Sequence, residues 1–295
     1  MTEAFYTDKT AVRAAFDKAA TTYDAAAFLQ REIAQRMGER LDYIKVQPER
    51  VLDAGCGTGY ASSMLRERYP HGRLFELDLA PGMLRVARDQ RSGIKALFDR
   101  RKPLQVCGDI EALPLATASV DLIWSNLTLQ WCNEPDSAFR EFLRVLKPGG
   151  LLMFSTLGPD TLKELRAAFA EVDGATHVNR FIDMHDLGDA LVNNGFSTPV
   201  MDMEYITLTY PELKPLLADL KGIGAQNATQ GRRAGLMGKS TWQRMTAAYE
   251  RFRTNGELPA TYEVVYGHAW KPEVASPKTL ADGSQVIEFR PRNKA

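Results

Sequence analysis

Hydrophobic positions along this chain change period repeatedly, and each change marks an element. Val12, Phe16 and Ala19 fall at helical spacing and predict a helix over 8–20. Phe28, Ile33, Met37, Leu41 and Ile44 predict a second helix over about 25–44, closed by Pro48. Short apolar runs then alternate with helical stretches. Val51-Leu52 is a strand, followed by a helix over 61–69. Arg73 to Asp78 is a second strand, followed by a helix opened by Pro81. Leu104 to Cys107 and Val120 to Ser125 are the third and fourth strands. A helix over 135–146 ends at Lys147-Pro148-Gly149-Gly150, which predicts a sharp stop with Gly149 or Gly150 at positive φ, and Leu151 to Ser155 is the fifth strand. This alternation predicts an α/β fold with a mostly parallel, doubly wound sheet and helices on both faces.

Beyond Ser155 the pattern changes. Leu162, Leu165 and Phe169 mark an amphipathic helix over 160–172, and the stretch 177–185 is polar and aperiodic. A short helix over 186–193 stops at Gly195. Period-two runs over 200–206 and 261–268 predict two more strands, with helices over 212–223 and 241–252 between them and a glycine-rich loop over 222–238. The expected organisation is a helical N-terminal lid (1–47), a main domain (48–272) with substrate-cap insertions near 158–185 and 211–260, and a C-terminal tail (273–295).

Composition narrows the class. The 295 residues suit one large domain, and 44% hydrophobic with 25% charged residues is ordinary for a globular protein. Lys plus Arg equals Asp plus Glu at 37 each, so the zero net charge argues against a nucleic-acid binder. Cys56, Cys107 and Cys132 form no C-x-x-C pair, which speaks against a disulfide framework and a zinc site. With no signal-peptide pattern and no apolar run of membrane-spanning length, the expected compartment is the cytoplasm.

The candidate chemistry starts at Asp53-Ala54-Gly55-Cys56-Gly57-Thr58-Gly59. Strand, glycine turn and helix N-terminus together let an anionic ligand approach bare backbone. The dinucleotide fingerprint needs a glycine where Tyr60 stands, which disfavours a nucleotide-dependent oxidoreductase. Asp78, about twenty residues on, is placed to accept both hydroxyls of a ribose, or is an ordinary strand-end acid. Asp109, just past the third strand, is a candidate acceptor for an adenine amino group, with Ile110 on the ring face. Asn126-Leu127 ends the fourth strand. Tyr23, between the first two helices, is either a core aromatic or part of the lid.

The G-x-G-x-G spacing after Asp53, with Asp78, Gly108-Asp109 and Lys147 to Gly150, resembles class I S-adenosylmethionine-dependent methyltransferases. Longer segments are similar to the malonyl-acyl-carrier-protein O-methyltransferases of biotin synthesis. These are Phe16 to Ala20 with Thr22-Tyr23-Asp24, Ser125 to Cys132, Gly158 to Leu165, His177 to Asp186 and Thr261 to Trp270. The resemblance covers about 10–272. It implies a Rossmann-like seven-stranded sheet, S-adenosylmethionine as methyl donor with S-adenosylhomocysteine as product, and malonyl-acyl carrier protein as substrate. Asp53, Gly55, Cys56, Gly57, Gly59, Asp78, Leu79, Asp109, Ile110, Asn126 and Leu127 are the implied cofactor residues. Phe75-Glu76-Leu77 departs from the pattern, and an acid at Glu76 leaves open which carboxylate holds the ribose.

A carboxylate acceptor is ionised at neutral pH and needs no general base, so catalysis reduces to positioning. Arg180, in the polar segment, is the candidate to grip the malonyl carboxylate, with Tyr23 helping to position it; a salt bridge to Asp183 or Asp186 is the alternative. Trp131 is either a pocket wall or a core residue. His177 is expected to hydrogen-bond a loop or the substrate, and no metal is expected. Between Lys221 and Arg253 seven basic residues face one acid, Glu250, which is either a docking face for an acidic carrier protein or a solvated helix surface. Competing functions are methylation of a free small carboxylic acid and a protein-modifying or assembly role.

Overall fold

The computed structural model describes residues 6–92, 99, 101–225, 227–229 and 237–273. In chain order the elements are α1 (Lys9–Ala19), α2 (Tyr23–Ala26), α3 (Phe28–Arg40), β1 (Arg50–Ala54), α4 (Tyr60–Arg68), β2 (Arg73–Asp78), α5 (Pro81–Gln90), β3 (Leu104–Cys107), β4 (Val120–Asn126), α6 (Pro135–Val145), β5 (Leu146–Leu157), α7 (Lys163–Ala170), α8 (Met184–Asn193), β6 (Ser197–Tyr210), α9 (Leu213–Gly222), α10 (Lys239–Glu250) and β7 (Leu258–Trp270). The seven strands form one sheet in the order β3-β2-β1-β4-β5-β7-β6. Strands β1 to β5 pair in parallel, and β7 runs antiparallel to both β5 and β6. The order reverses between β1 and β4, so the carboxyl ends of these two strands flank the crevice where such sheets bind ligands.

Alternation along the strands builds a core on each face. Val51, Leu122, Trp124, Leu151 and Met153 pack on one side with Ile33 and Met37 of α3 and Leu65 of α4. Leu52, Ile123, Leu152 and Phe154 pack on the other with Phe139 and Phe142 of α6 and Leu187 and Leu191 of α8. Central strands covered on both faces must read as continuous apolar runs, which is how β1, β4 and β5 read. Each wholly buried side chain of this size contributes roughly 1.5–3 kcal/mol of transfer free energy.

Three boundaries depart from the sequence pattern. The single helix expected over 25–44 is α2 and α3, separated at Ala27, where ψ is +40°. Asp24 is the cause: its carboxylate accepts from Thr58 Oγ1 and Gln90 Nε2, which pulls the short first turn onto the glycine loop. The helix expected from residue 160 starts at Lys163, because Asp160 N and Leu162 N bond instead to Glu263 Oε2 and Thr261 O of β7. The stop at 147–150 sits inside β5. Gly149 has φ +75°, and Gly149 N and Gly150 O bond Lys271, which continues the sheet through the turn. Of the expected C-terminal tail, residues 274–295 lie outside the described residues, as does 230–236 of the glycine-rich loop.

The N-terminal segment is fastened to the domain by polar contacts. Gly82 N donates to Asp17 Oδ1 at 2.6 Å, at the first turn of α5. Thr7 N donates to Asn133 Oδ1 at 2.7 Å, and Phe16 meets Trp131 edge-on at 5.2 Å between centroids. Helix α1 therefore lies across the carboxyl end of the sheet.

Candidate active site

Two adjoining chambers open under that N-terminal segment. The first encloses about 660 Å³ and is lined by Gly55, Gly57, Asp78, Leu79, Gly108, Asp109, Ile110, Asn126 and Leu127, with Lys9 and Phe16 of α1. The second encloses about 800 Å³ and is lined mainly by Leu29, Gln30, Leu157, Leu162, Leu165, His177, Asn179, Phe181 and Tyr262. Phe16, Tyr23, Leu127 and Trp131 line both and form the wall between them.

The glycine loop makes the first chamber. Gly55 and Gly57 hold φ of +84° and +53°. A Cβ on Gly55 would sit 2.0 Å from Thr128 Oγ1, so no other residue fits there. A Cβ on Gly57 would meet nothing closer than Tyr23 Cε1 at 3.9 Å and would fill the space a ligand needs. Gly59, at φ +88°, caps α4 without lining the chamber.

Asp78 closes the end of β2. Its carboxylate accepts from Gly57 N at 2.9 Å and Ala80 N at 2.8 Å. Burial raises its pKa to about 6; these backbone donors oppose the rise and the Asp17 carboxylate adds to it. Glu76 turns away from the chamber. It is wholly buried, with Arg91 Nη1 and Nη2 each 2.6 Å from its two oxygens and Gln105 Nε2 at 3.0 Å. Of the two acids left open by the sequence, only Asp78 lines the chamber.

Asp53 and Cys56 also lie behind the chamber wall. Asp53 is 1% exposed and accepts from Ser62 Oγ at 2.6 Å, so it braces β1 against α4. Burial raises its pKa to about 7, against the pull of the Ser62 hydroxyl. The backbone N–H groups of Gly55 and Cys56 are spent on Leu77 O. Neither Asp53 nor Cys56 is among the residues lining the chamber.

Asp109 lines the chamber in the grip of Lys9, whose Nζ lies 2.7 and 2.8 Å from its two oxygens and also pairs with Glu111. Burial works against the Lys9 ammonium, but these carboxylates outweigh it and its pKa stands above the ordinary value. Lys9 escaped the sequence reading because nothing in α1 signals contact with a strand end a hundred residues away.

Asn126 links the chambers. Its Nδ2 donates to Gln30 O of α3 at 3.1 Å, and its Oδ1 accepts from Ser155 Oγ at 2.8 Å. Leu127 follows at φ +51°, a costly conformation for leucine, held by its N–H bond to Ser155 O at 3.0 Å. Tyr23 sits beside Gly57 in the dividing wall; burial, then the nearby Asp78 carboxylate, raises its pKa and keeps it a neutral phenol.

His177 stacks on Phe169 with centroids 3.8 Å apart, and its Nε2 lies 2.8 Å from Asp173 Oδ1. Arg180, expected at the acceptor, is exposed and opens onto a separate surface groove with Arg166, Asp183 and Asp186. The chain turns between Asn179 and Phe181, which line the second chamber, and sends the residue between them outward.

A family described as "Methyltransferase domain" matches residues 52–154, which span β1 into β5. A malonyl-[acyl-carrier protein] O-methyltransferase of Laribacter hongkongensis is 61% identical over the full length of both chains. One from a Methylovorus species is 56% identical over 98% of this chain and 97% of its own. This chain belongs to the malonyl-[acyl-carrier protein] O-methyltransferase family. It is a class I methyltransferase in fold and carries the family's methyltransferase domain, which implies S-adenosylmethionine as donor. The structure of Haemonchus contortus phosphoethanolamine N-methyltransferase 2 with S-adenosyl-L-methionine has a TM-score of 0.51 and 17% identity, covering 87% of this chain and 57% of that one. That likeness speaks for the fold alone. Among the described residues, no helix is long and apolar enough to cross a membrane.

Proposed function

We propose that this protein methylates the free carboxyl of a malonyl group carried as a thioester on acyl carrier protein, a step that leads toward the pimeloyl chain of biotin. One observation supports this most: a glycine-lined chamber with an acid for a ribose shares a wall with a second, largely apolar chamber. The relatives' names supply the acceptor.

The first chamber suits S-adenosylmethionine. Gly57, with no Cβ, leaves room beside the loop for the amino-acid end, Asp78 would receive the ribose hydroxyls, and Ile110 would pack on the adenine face. When bound, the cofactor supplies a methyl group already activated on a cationic sulfur. The protein's own task is then to bring in an ionised carboxylate, strip its water and hold it. Phe16, Trp131, Leu127 and the neutral Tyr23 do the first part. Their apolar surfaces exclude water from the boundary between the chambers, and an anionic oxygen without its hydration shell is a stronger nucleophile. No side chain is required to take a proton.

Docking of the acidic carrier on the face around Lys221–Arg253 is the finer part of the reading. Lys221, Lys239 and Arg244 are exposed there. Arg251 and Arg253 pair with Glu171 and Glu250, and Arg232 and Arg233 lie outside the described residues. The test is intact-mass spectrometry of malonyl- and acetyl-loaded carrier after incubation with enzyme and cofactor. A one-methyl gain on the malonyl form alone is expected. A gain on both forms, or on neither, contradicts the reading.

A further inference from the structure

Lys9 stands where local helix chemistry would not put it. It is the first residue of α1, at the positive end of the helix dipole, where an acid would serve the helix better. Its backbone is nevertheless fixed on both sides. Thr7 N donates to Asn133 Oδ1, Thr7 O accepts from Asn133 Nδ2, and Asp8 N donates to Ala228 O at 2.9 Å. The Asp8 carboxylate caps α1 by accepting from Thr10 N and Ala11 N. The side chain so placed reaches the end of β3. There Nζ lies against three carboxylate oxygens, both of Asp109 and one of Glu111. An ammonium has three N–H bonds, so none is left for a ligand.

Asp109 is not used up by this grip. Its Oδ1 takes Lys9 and also Glu111 N at 3.0 Å. Its Oδ2 takes Lys9 alone, which leaves that oxygen a lone pair, and the residue lines the first chamber beside Ile110. Without the ammonium, Asp109 and Glu111 would set two like charges together, and repulsion would drive the Asp109 side chain from its place.

On the reading that S-adenosylmethionine occupies the first chamber, we infer that Lys9 is a positioning residue for its adenine, holding Asp109 so that Oδ2 accepts from the purine amino group. Selection of an amino over an oxo group at that ring carbon follows. An oxo group would bring its lone pairs against a carboxylate, and Lys9 has no N–H to offer it. Helix α1 is thereby a working part of the cofactor site, joined to it by one side chain.

The experiment titrates wild type, Lys9→Met and Lys9→Arg with S-adenosylhomocysteine and with S-inosylhomocysteine, which has an oxo group in place of the purine amino group. The thermal midpoint and the KM for malonyl-acyl carrier protein at saturating methyl donor are measured alongside. Wild type is expected to prefer the amino ligand about tenfold to a hundredfold, the range for a hydrogen bond to a charged group. Lys9→Met is expected to shrink that preference to within about threefold, Lys9→Arg to keep most of it, and the acceptor KM to stay within about twofold of wild type in both. A lysine that merely braced α1 would, on replacement, lower the midpoint and weaken both ligands equally; that result overturns the proposal. Asp109→Leu supplies a second test. Adding Lys9→Met to it is expected to change S-adenosylhomocysteine affinity by less than about twofold, and a fully additive loss overturns the proposal. Wild type that binds S-adenosylhomocysteine without preferring it to the oxo analogue overturns the adenine role of Asp109, and this proposal with it, while the methyl-donor reading stands. Wild type that binds neither ligand overturns that reading itself.

Discussion

Replacing Glu76 with Ala and Asp78 with Asn should damage the protein in two separable ways. Glu76 is wholly buried and holds the Arg91 guanidinium through two 2.6 Å contacts. Arg91 is itself only 21% exposed, so Glu76→Ala leaves a half-buried cation without its counter-charge. Breaking such a pair costs about 3–5 kcal/mol. For a chain of this size that lowers the unfolding midpoint by on the order of 10 °C. Asp78→Asn is different. The amide keeps one of the two backbone acceptor roles, toward Gly57 or Ala80, and removes a carboxylate whose ionisation burial already disfavours. Its stability cost should be several-fold smaller. Its binding cost should be larger, because two charge-assisted bonds to the ribose weaken, a roughly tenfold to hundredfold rise in Kd. Calorimetric unfolding and titration with S-adenosylhomocysteine read the two effects independently. If Glu76→Ala kept its midpoint and lost cofactor affinity, or Asp78→Asn bound the cofactor as wild type does, the assignment of the two acids would be refuted.

Three further outcomes follow from the same contacts. Cofactor affinity should fall as pH drops through about 6, where Asp78 takes up a proton and stops accepting from both hydroxyls; a flat Kd between pH 5 and 8 contradicts this. Asp53 is raised from an ordinary 3.8 to about 7, so its contribution to stability is fully present below the unfolded value and is lost as pH rises through the folded one. Asp53→Asn should thus show no advantage near pH 4 and gain on the order of 4 kcal/mol above pH 7, read by denaturant unfolding at both pH values. Gly55→Ala, with its Cβ 2.0 Å from Thr128 Oγ1, should abolish cofactor binding while Thr128→Gly in the same chain restores part of it, read by titration.

Strands and their order of appearance were readable because a covered sheet demands apolar runs, and β2 and β3 match the pattern residue for residue. The glycine loop was readable because only glycine meets its backbone angles and close approaches, as at Gly55. What was not readable depends on distant partners. The break at Ala27 is imposed by Asp24 reaching Thr58 and Gln90, with neither proline nor glycine to mark it. Asp53 has the type and position of a ligand residue, yet Ser62 claims it from behind. Arg180 has the right chemistry for a carboxylate, but in an aperiodic segment nothing in the pattern says which alternate residue faces inward. The chain puts Asn179 and Phe181 in the chamber instead. Lys9 and Gln30 reach the site only because α1 and α3 fold back over the sheet.

The most direct test of the account follows the transferred group to its atom. Malonyl-acyl carrier protein is incubated with the enzyme and S-adenosylmethionine bearing an isotopically labelled methyl group, and the acyl-pantetheine fragment is ejected and sequenced by tandem mass spectrometry. The account predicts one labelled methyl, located on the terminal carboxyl oxygen of the malonyl group. A label on the carrier polypeptide, on the malonyl carbon between the two carbonyls, or on free malonate in preference to the thioester would contradict it.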